Sequence, residues 1–504
     1  VEPFIESIDP PVGAPGDVVV INGRNFGAVK DMSYVEIAGS KLTESAYISW
    51  SDNKIKLVLP PDVQDGLVFV GTKDKKVFSN PALFTNEVDI PVPVTTIAQI
   101  TRPVITSVSA SKVYIGELLT ITGSNFGDSR NQSNVYFTID YDKQIEDNQL
   151  FNKTLLTQNM IPACDNEGGY EYWSNTEIRV RVPDGAHSGA IIVDNGKEKS
   201  DIFDYKVVDI FGKKTYHSKK VYLVQYYADV SNVSLSSMET SSITLRCPLP
   251  EVNKNRNNMD KSIFQQTFAI PVYEVNSKMI NVEKYGSYKE MDQVVYTKYT
   301  SPDEITPCDD EKVVKKAREI VGKEKNPYRQ ARLIYKYMIN EYKIRKEIRR
   351  DKADSTDLIT RKFGDAYDFA VIYTSMLRSL GIPAVTNAGV LVCEDLKTQP
   401  HWWNEFYIQN FGWVPVDLAL GAGMEYDKIL DVTEEESPDY YFGNMDSYHI
   451  TFSKGLNDVK PFALENKIVQ YPKSFALQTI WEEYTNTTSE YSSYWSIPMI
   501  KGVY

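Results

Sequence analysis

Three stretches of the sequence hold residues able to do chemistry in concert. The first, Phe363-Gly-Asp-Ala366-Tyr-Asp-Phe-Ala370, leads into apolar positions at Phe369, Ile372, Tyr373, Met376, Leu377 and Leu380, closed by Gly381-Ile-Pro383. That period predicts a helix with residue 366 at its N-terminus. The second, His401-Trp-Trp-Asn-Glu-Phe-Tyr, and the third, Gly412-Trp413-Val-Pro-Val-Asp417, read as strands joined by a turn at Asn410-Phe-Gly. Such a hairpin brings an imidazole and a carboxylate into register opposite a helix N-terminus, the arrangement a thiol nucleophile needs. The helix dipole and a protonated imidazole lower the thiol pKa, the imidazole carries the proton, and the carboxylate fixes its tautomer. Position 366 precedes His401 by 35 residues, and His401 precedes Asp417 by 16, an order of nucleophile, base and orienting acid. Position 366, however, is alanine, and a methyl group cannot attack an amide.

Blander readings apply to each residue alone. A strand histidine facing an aspartate also reads as a satisfied core pair, and Asp365 and Asp368 read first as carboxylates favoured by a helix N-terminus. The three stretches in order favour a site. Cys393 follows an apolar strand and Cys308 precedes the region, so neither stands at a helix N-terminus to replace the missing thiol. The four histidines, His187, His217, His401 and His449, show no pair at ligand spacing, so no metal and no cofactor is expected. Gly421-Ala-Gly423 lacks the residues of a phosphate-binding loop.

The elements that must position these residues begin upstream. Apolar positions at Val314, Ala317, Ile320 and Val321, then Ala331, Ile334, Tyr335, Met338 and Ile339, predict two amphipathic helices. The basic run Lys343 to Arg350 is expected at a helix C-terminus, where cations complement the dipole. From 208 to about 301 the pattern is β-like, as in Val221-Tyr-Leu-Val-Gln-Tyr-Tyr, with a polar loop near 253–258, and is read as a β domain. Residues 456–504 read as a closing β segment.

The first two hundred residues are a duplication. Pro3, Ile5, Ser7, Gly16, Ile21, Gly23, Asn25, Phe26 and Gly27 recur 100 positions later as Pro103, Ile105, Ser107, Gly116, Ile121, Gly123, Asn125, Phe126 and Gly127. Trp50-Ser-Asp-Asn-Lys-Ile55 returns as Trp173-Ser-Asn-Thr-Glu-Ile178 at an offset of 123, which puts about 23 extra residues between 139 and 172 of the second copy. Short alternating strands with Gly and Pro punctuation describe small antiparallel sandwiches. A chain of 504 residues with 42% hydrophobic and 24% charged residues is multidomain and folded. A net charge of −13 argues against nucleic acid and anionic membranes as partners, and no apolar run is long enough for a membrane span. The pairing of Cys164 with Cys247 is left open.

The G-x-N-F-G turns with their flanking strands resemble the IPT/TIG family of immunoglobulin-like domains. The stretch from Tyr328 to Gly455 resembles the transglutaminase-like core of the papain-like fold, whose motifs read G-x-C-x-D-x-A, H-x-W-x-E and G-W-x-x-x-D, with Ala366 where the pattern has cysteine. Leu377-Arg-x-Leu-Gly-Ile-Pro and Tyr441-Phe-Gly-Asn-x-Asp446 belong to the same resemblance. The expected fold is thus multidomain. It comprises two Ig-like β-sandwiches (1–98 and 99–207), a further β domain (208–302) and a C-terminal α+β papain-like core with a β extension (303–504). The resemblance implies a bacterial, extracytoplasmic protein with catalytic positions 366, His401 and Asp417. Acyl transfer from a protein or peptide amide is the implied chemistry, and the chain is inactive as it stands. An oxyanion partner is expected from the backbone N–H of residue 366 and from Tyr342, while Trp402, Trp403 and Trp413 shape the cleft. Ala366 has two explanations that stay open, a substitution introduced to silence an enzyme and a natural pseudoenzyme. The rival function is a non-catalytic surface adhesion protein that grips a peptide, a cell-surface glycan or a protein.

Overall fold

Alternation along Val18–Arg24, which buries Val19, Ile21 and Gly23, is the pattern of a strand with one face in a core, and its neighbours follow it. A computed structural model describes residues 2–504 apart from 73–76, 87–101, 142–159, 166–167, 236–242, 247–264, 346–353, 427–437, 457–466, 472–474, 478–479 and 486–487. The chain forms two compact units, Val1–Gln99 and Ile100–Tyr504. In the first, the antiparallel sheet Phe4–Asp9, Val18–Arg24, Lys54–Val58, Tyr47–Ser51 faces a second sheet built on Ala82–Asn86, Gly66–Thr72 and Tyr34–Ile37. Ile5, Ile21, Phe26, Val35, Leu57 and Phe84 fill the space between them.

The larger unit opens with the second copy of this sandwich. Val104–Val108, Leu118–Ser124, Glu177–Arg181 and Tyr170–Trp173 form one sheet, and Phe203–Val207, Ala186–Asp194, Asn134–Ile139 and Met160–Pro162 belong to the other. The inserted stretch of this copy supplies Met160–Pro162, which pairs with Asn134–Ile139, while 142–159 lie outside the described residues. Both G-x-N-F-G turns are built alike. Asn25 and Asn125 have φ of 62° and 63°. A Cβ on Gly23 or Gly123 would lie 2.0 or 1.9 Å from a carbonyl oxygen of the neighbouring strand, so only glycine lets the strands close there.

The long strand Gly212–Leu235 pairs antiparallel with Gln265–Met279. Sequence reading makes 208–302 a domain of its own. In the fold its sheet is completed by Asn444–Met445, Thr488–Trp495 and Met499–Val503 from the far end of the chain. The reason is burial: Tyr222, Val224, Tyr226, Phe268 and Ile270 pack against Val390, Val392, Ile450, Phe452 and Phe475. The polar loop at 253–258 lies outside the described residues, as does Cys247 of the open Cys164–Cys247 pairing.

Helices α1 (Gln293–Thr300), α2 (Glu311–Val321), α3 (Pro327–Glu341), α4 (Leu358–Arg361), α5 (Ala366–Ser379) and α6 (Leu418–Gly421) build the C-terminal core. Asp310 caps α2 through Lys312 N and Val313 N, and Asn326 followed by Pro327 starts α3. These are the two helices the apolar period predicts. Of the basic run behind α3, Lys343–Ile344 pairs with Phe363–Gly364, and 346–350 lie outside the described residues. Against α5 packs an antiparallel sheet of β1 (Ala384–Val392), β2 (Thr398–Ile408), β3 (Gly412–Val416) and β4 (His449–Lys454), in the order β3-β2-β1-β4.

Candidate active site

Residue 366 is the first residue of α5, as its motif predicts, with Asp365 as N-cap. The Asp365 carboxylate accepts the Asp368 backbone N–H at 3.0 Å, and Arg361 donates to the Asp368 carboxylate at 2.7 Å. Both acids therefore hold the helix start. α5 is tied to the sheet by a buried polar line. Asn404 on β2 donates to Ala370 O and Thr374 Oγ1, each at 2.7 Å, and Thr374 meets Thr386 on β1 at 2.8 Å. Buried amides and hydroxyls need such partners, so the register between α5 and β2 is fixed by them. Ala366 shares an apolar cluster with Ala370, Cys393, Trp402, Leu420 and Tyr441.

On β2, His401 lies across from Gly389 of β1. A side chain at 389 would stand 3.0 Å from the Trp403 ring and 1.9 Å from Ile450 O, so glycine leaves room for the aromatic layer on this face. Asp417 follows β3 and caps α6, its Oδ1 accepting Leu420 N at 2.9 Å. His401 Nε2 and Asp417 Oδ2 are 2.6 Å apart, both side chains wholly buried. The other ring nitrogen, His401 Nδ1, is buried and has no hydrogen-bond partner among the described residues.

Sequence spacing misses a second histidine. His449, at the start of β4, places Nε2 3.0 Å from the same Asp417 Oδ2 and Nδ1 2.8 Å from Asp446 Oδ1. Asp446 also accepts from Tyr448 N at 3.0 Å and Tyr441 Oη at 3.2 Å. Read by spacing alone, the histidines look scattered. The fold corrects this by bringing His401, Asp417 and His449 within 4.8 Å of one another. The available signal was D-x-x-H at 446–449 beside the motif ending in Asp446. The contacts are hydrogen bonds converging on one acceptor oxygen, whereas nitrogen and oxygen atoms around a tetrahedral zinc stand about 3.3 Å apart.

Charge follows the geometry. Burial alone would raise the Asp417 carboxyl, but the charges and hydrogen bonds of His401 and His449 outweigh it and hold Asp417 well below the usual carboxylate range. Asp446 is lowered in the same way by His449. Burial alone would lower the His449 imidazole. The charge of Asp446 and the hydrogen bonds to Asp417 and Asp446 prevail and raise it from 6.5 to about 9.

The aromatic residues divide. Trp403 stacks on His401 at 6.0 Å and meets His449 edge-on at 5.0 Å, and Trp402 meets Tyr367 edge-on at 5.5 Å. Trp413 belongs to a different cluster, with Tyr299, Tyr407 and Val385. Tyr342 packs with Tyr337 and Phe369 in the helical core, not in the cluster of Ala366.

A helix N-terminus packed on a sheet that carries a buried histidine–aspartate pair defines the class. Residues 314–418 match the transglutaminase-like superfamily, and 3–85 and 103–142 match the IPT/TIG domain. The C-terminal core is a transglutaminase-like domain, and the N-terminal sandwiches are IPT/TIG domains. A cyclomaltodextrin glucanotransferase of Bacillus licheniformis is 42% identical over 59 residues, 12% of this chain and 8% of that protein. An uncharacterized protein of Haemophilus influenzae is 26% identical over 179 residues, 29% of this chain. The chain spans 8% and 46% of the lengths of these two relatives. Among solved structures, the periplasmic domain of TgpA from Pseudomonas aeruginosa is similar at 12% identity and a TM-score of 0.25, over 42% of this chain and 88% of that one. Among the described residues no helix is long and apolar enough to cross a membrane.

Proposed function

We propose that the chain carries a cysteine acyl-transfer site with the nucleophile position filled by alanine, so that it holds an amide substrate without turning it over. What supports this reading is Ala366 at the N-terminus of α5, the packing of α5 on β2, and on β2 a buried His401, bonded to Asp417, whose Nδ1 has no partner among the described residues. With Nε2–H given to Asp417, Nδ1 keeps its lone pair and is the atom that takes the thiol proton in the Ala366→Cys variant. The thiolate then attacks the carbonyl carbon of a peptide or glutamine amide, the amine leaves with the proton from His401, and water or a second amine resolves the thioester. Positive charge at the helix N-terminus favours the thiolate. An extracytoplasmic location, with the Ig-like domains as stalk or adhesive modules, goes with this reading.

Ala366→Cys treated with iodoacetamide near pH 6.5 is the test, with peptide mass spectrometry to separate position 366 from the other thiols. The new thiol should label at least about tenfold faster than an ordinary cysteine, as expected for a depressed thiol pKa. His401→Ala in the same background should remove that advantage. Equal, slow labelling in both chains would sink the proposal. Alanine at 366 also favours a second reading, a pseudoenzyme that grips a peptide or glycan. In that case the isolated 1–207 fragment retains binding to a cell-surface target.

A further inference from the structure

Counting hydrogen bonds separates the two histidines that meet Asp417. An ionised carboxylate only accepts, and a neutral imidazole has a single N–H to give. His401 uses one nitrogen, so the neutral ring satisfies its contacts. His449 faces a carboxylate at each nitrogen, 2.8 Å from Asp446 and 3.0 Å from Asp417, and only the imidazolium can donate to both. Asp417 thus accepts from three donors: Leu420 N at Oδ1, and His401 and His449 at Oδ2.

We propose that His449, held by Asp446, is a positioning residue for the His401–Asp417 pair, locking the Asp417 carboxylate toward His401 and offsetting the negative charge that His401 feels. This rests on the acyl-transfer reading of the site. The groups that face His449 are few. Asp417 and His401 come from the β2–β3 hairpin and Asp446 from the turn before β4, with Tyr441 on Asp446. The Asp417 charge reaches Tyr335 on α3, and among the described residues Lys220 on the long strand donates to Tyr448, at 3.4 Å. Opposite His449 in register, Leu391 of β1 contributes no charge. Among the described residues, His449 is therefore the cation in hydrogen-bond contact with the orienting carboxylate, and His401 the neutral ring that shares it.

The consequence is a pH profile. In the Ala366→Cys variant the positive charge that His449 carries below about pH 9 stabilises a thiolate beside the pair and opposes protonation of the base, so it holds both limbs of a reactivity profile low. Removing that charge moves both limbs up together. The experiment compares Ala366→Cys with Ala366→Cys carrying His449→Gln, in the full chain, by iodoacetamide labelling of residue 366 from pH 4 to 10. Glutamine keeps an N–H donor toward Asp417 and loses the charge. Both limbs should shift upward by about one pH unit, the scale of one nearby charge, with the maximal rate within about threefold. Unmoved limbs, whether the amplitude holds or falls, overturn the proposal, because a merely structural role changes amplitude alone. Slow labelling of Ala366→Cys itself overturns the acyl-transfer reading and the role of His449 with it, an outcome distinct from fast labelling with fixed limbs. Should the glutamine variant not fold, histidine Cε1 NMR of the Ala366→Cys chain decides. One of the four histidine resonances must stay in the imidazolium form at pH 7.5 and titrate near 9. Four rings all neutral at that pH overturn it.

Discussion

The two IPT/TIG copies share an interior and differ in what they support. Phe26 and Phe126 both plug their sandwiches at zero exposure, and Trp50 and Trp173 donate to the carbonyls of those phenylalanines at 3.1 and 3.2 Å. The first copy forms a compact unit by itself. The second is built into the unit that holds the site. Its Ile115 bridges to Asn410 in the β2–β3 turn, Arg181 pairs with Asp292 at 3.1 Å, and Asp184 pairs with Lys214 at 2.5 Å beside the Phe411 ring. The hairpin that carries His401 and Asp417 therefore rests, at its turn, on a sandwich. The two copies keep the same core, and the contacts at the rim of the second make it a buttress.

Deleting the two plugs should separate these roles most sharply. Phe26→Ala and Phe126→Ala each remove a large buried ring at a cost of about 3–5 kcal/mol. By calorimetry, Phe26→Ala should lower only the transition of residues 1–99. Phe126→Ala should lower the transition of the larger unit and, in the Ala366→Cys background, slow labelling at 366. A core transition untouched by Phe126→Ala would show that the second copy is a passenger.

A smaller effect is expected at the junction. The Lys214 side chain is 4% exposed, and Lys214→Met removes the ammonium from the largely buried Asp184. Breaking such a pair from one side costs about 3 kcal/mol, more than deleting both charges. The larger unit should melt lower, the double variant with Asp184→Leu should recover part of the loss, and residues 1–99 should not respond. Loss of stability in the first unit would break the comparison.

The same contrast explains what is readable in the chain. Turns and amphipathic helices are local, so the G-x-N-F-G copies, α2, α3 and α5 can be read from spacing, as can the hairpin that unites His401 with Asp417. Pairing between distant segments leaves no periodic trace. The strand Gly212–Leu235 reads as part of a separate domain because its partners Thr488–Trp495 and Met499–Val503 lie more than 250 residues away. His449 escapes notice for the same reason, since β4 joins β1 across the sheet rather than in sequence. Tyr342 is suggested by proximity to the motifs, but its position just past α3 turns it into the helical core.

The mildest perturbation is pH, and it should sharpen the comparison without touching a residue. Residues 1–99 contain none of the four histidines. In the larger unit, His449 is raised from 6.5 to about 9, against the opposing effect of burial, by Asp446 and Asp417. The folded chain thus holds this proton more tightly than the unfolded chain does. Its contribution to stability is complete below about pH 6.5 and is lost progressively as pH rises through about 9. Asp417 and Asp446, both lowered, act oppositely and cost stability only as pH falls below the ordinary carboxylate range. Between pH 6.5 and 9 the melting temperature of the larger unit should therefore fall while that of residues 1–99 stays level, and His449→Gln should flatten the slope. A parallel decline of both units would mean that the slope comes from net charge and not from the imidazolium between two carboxylates.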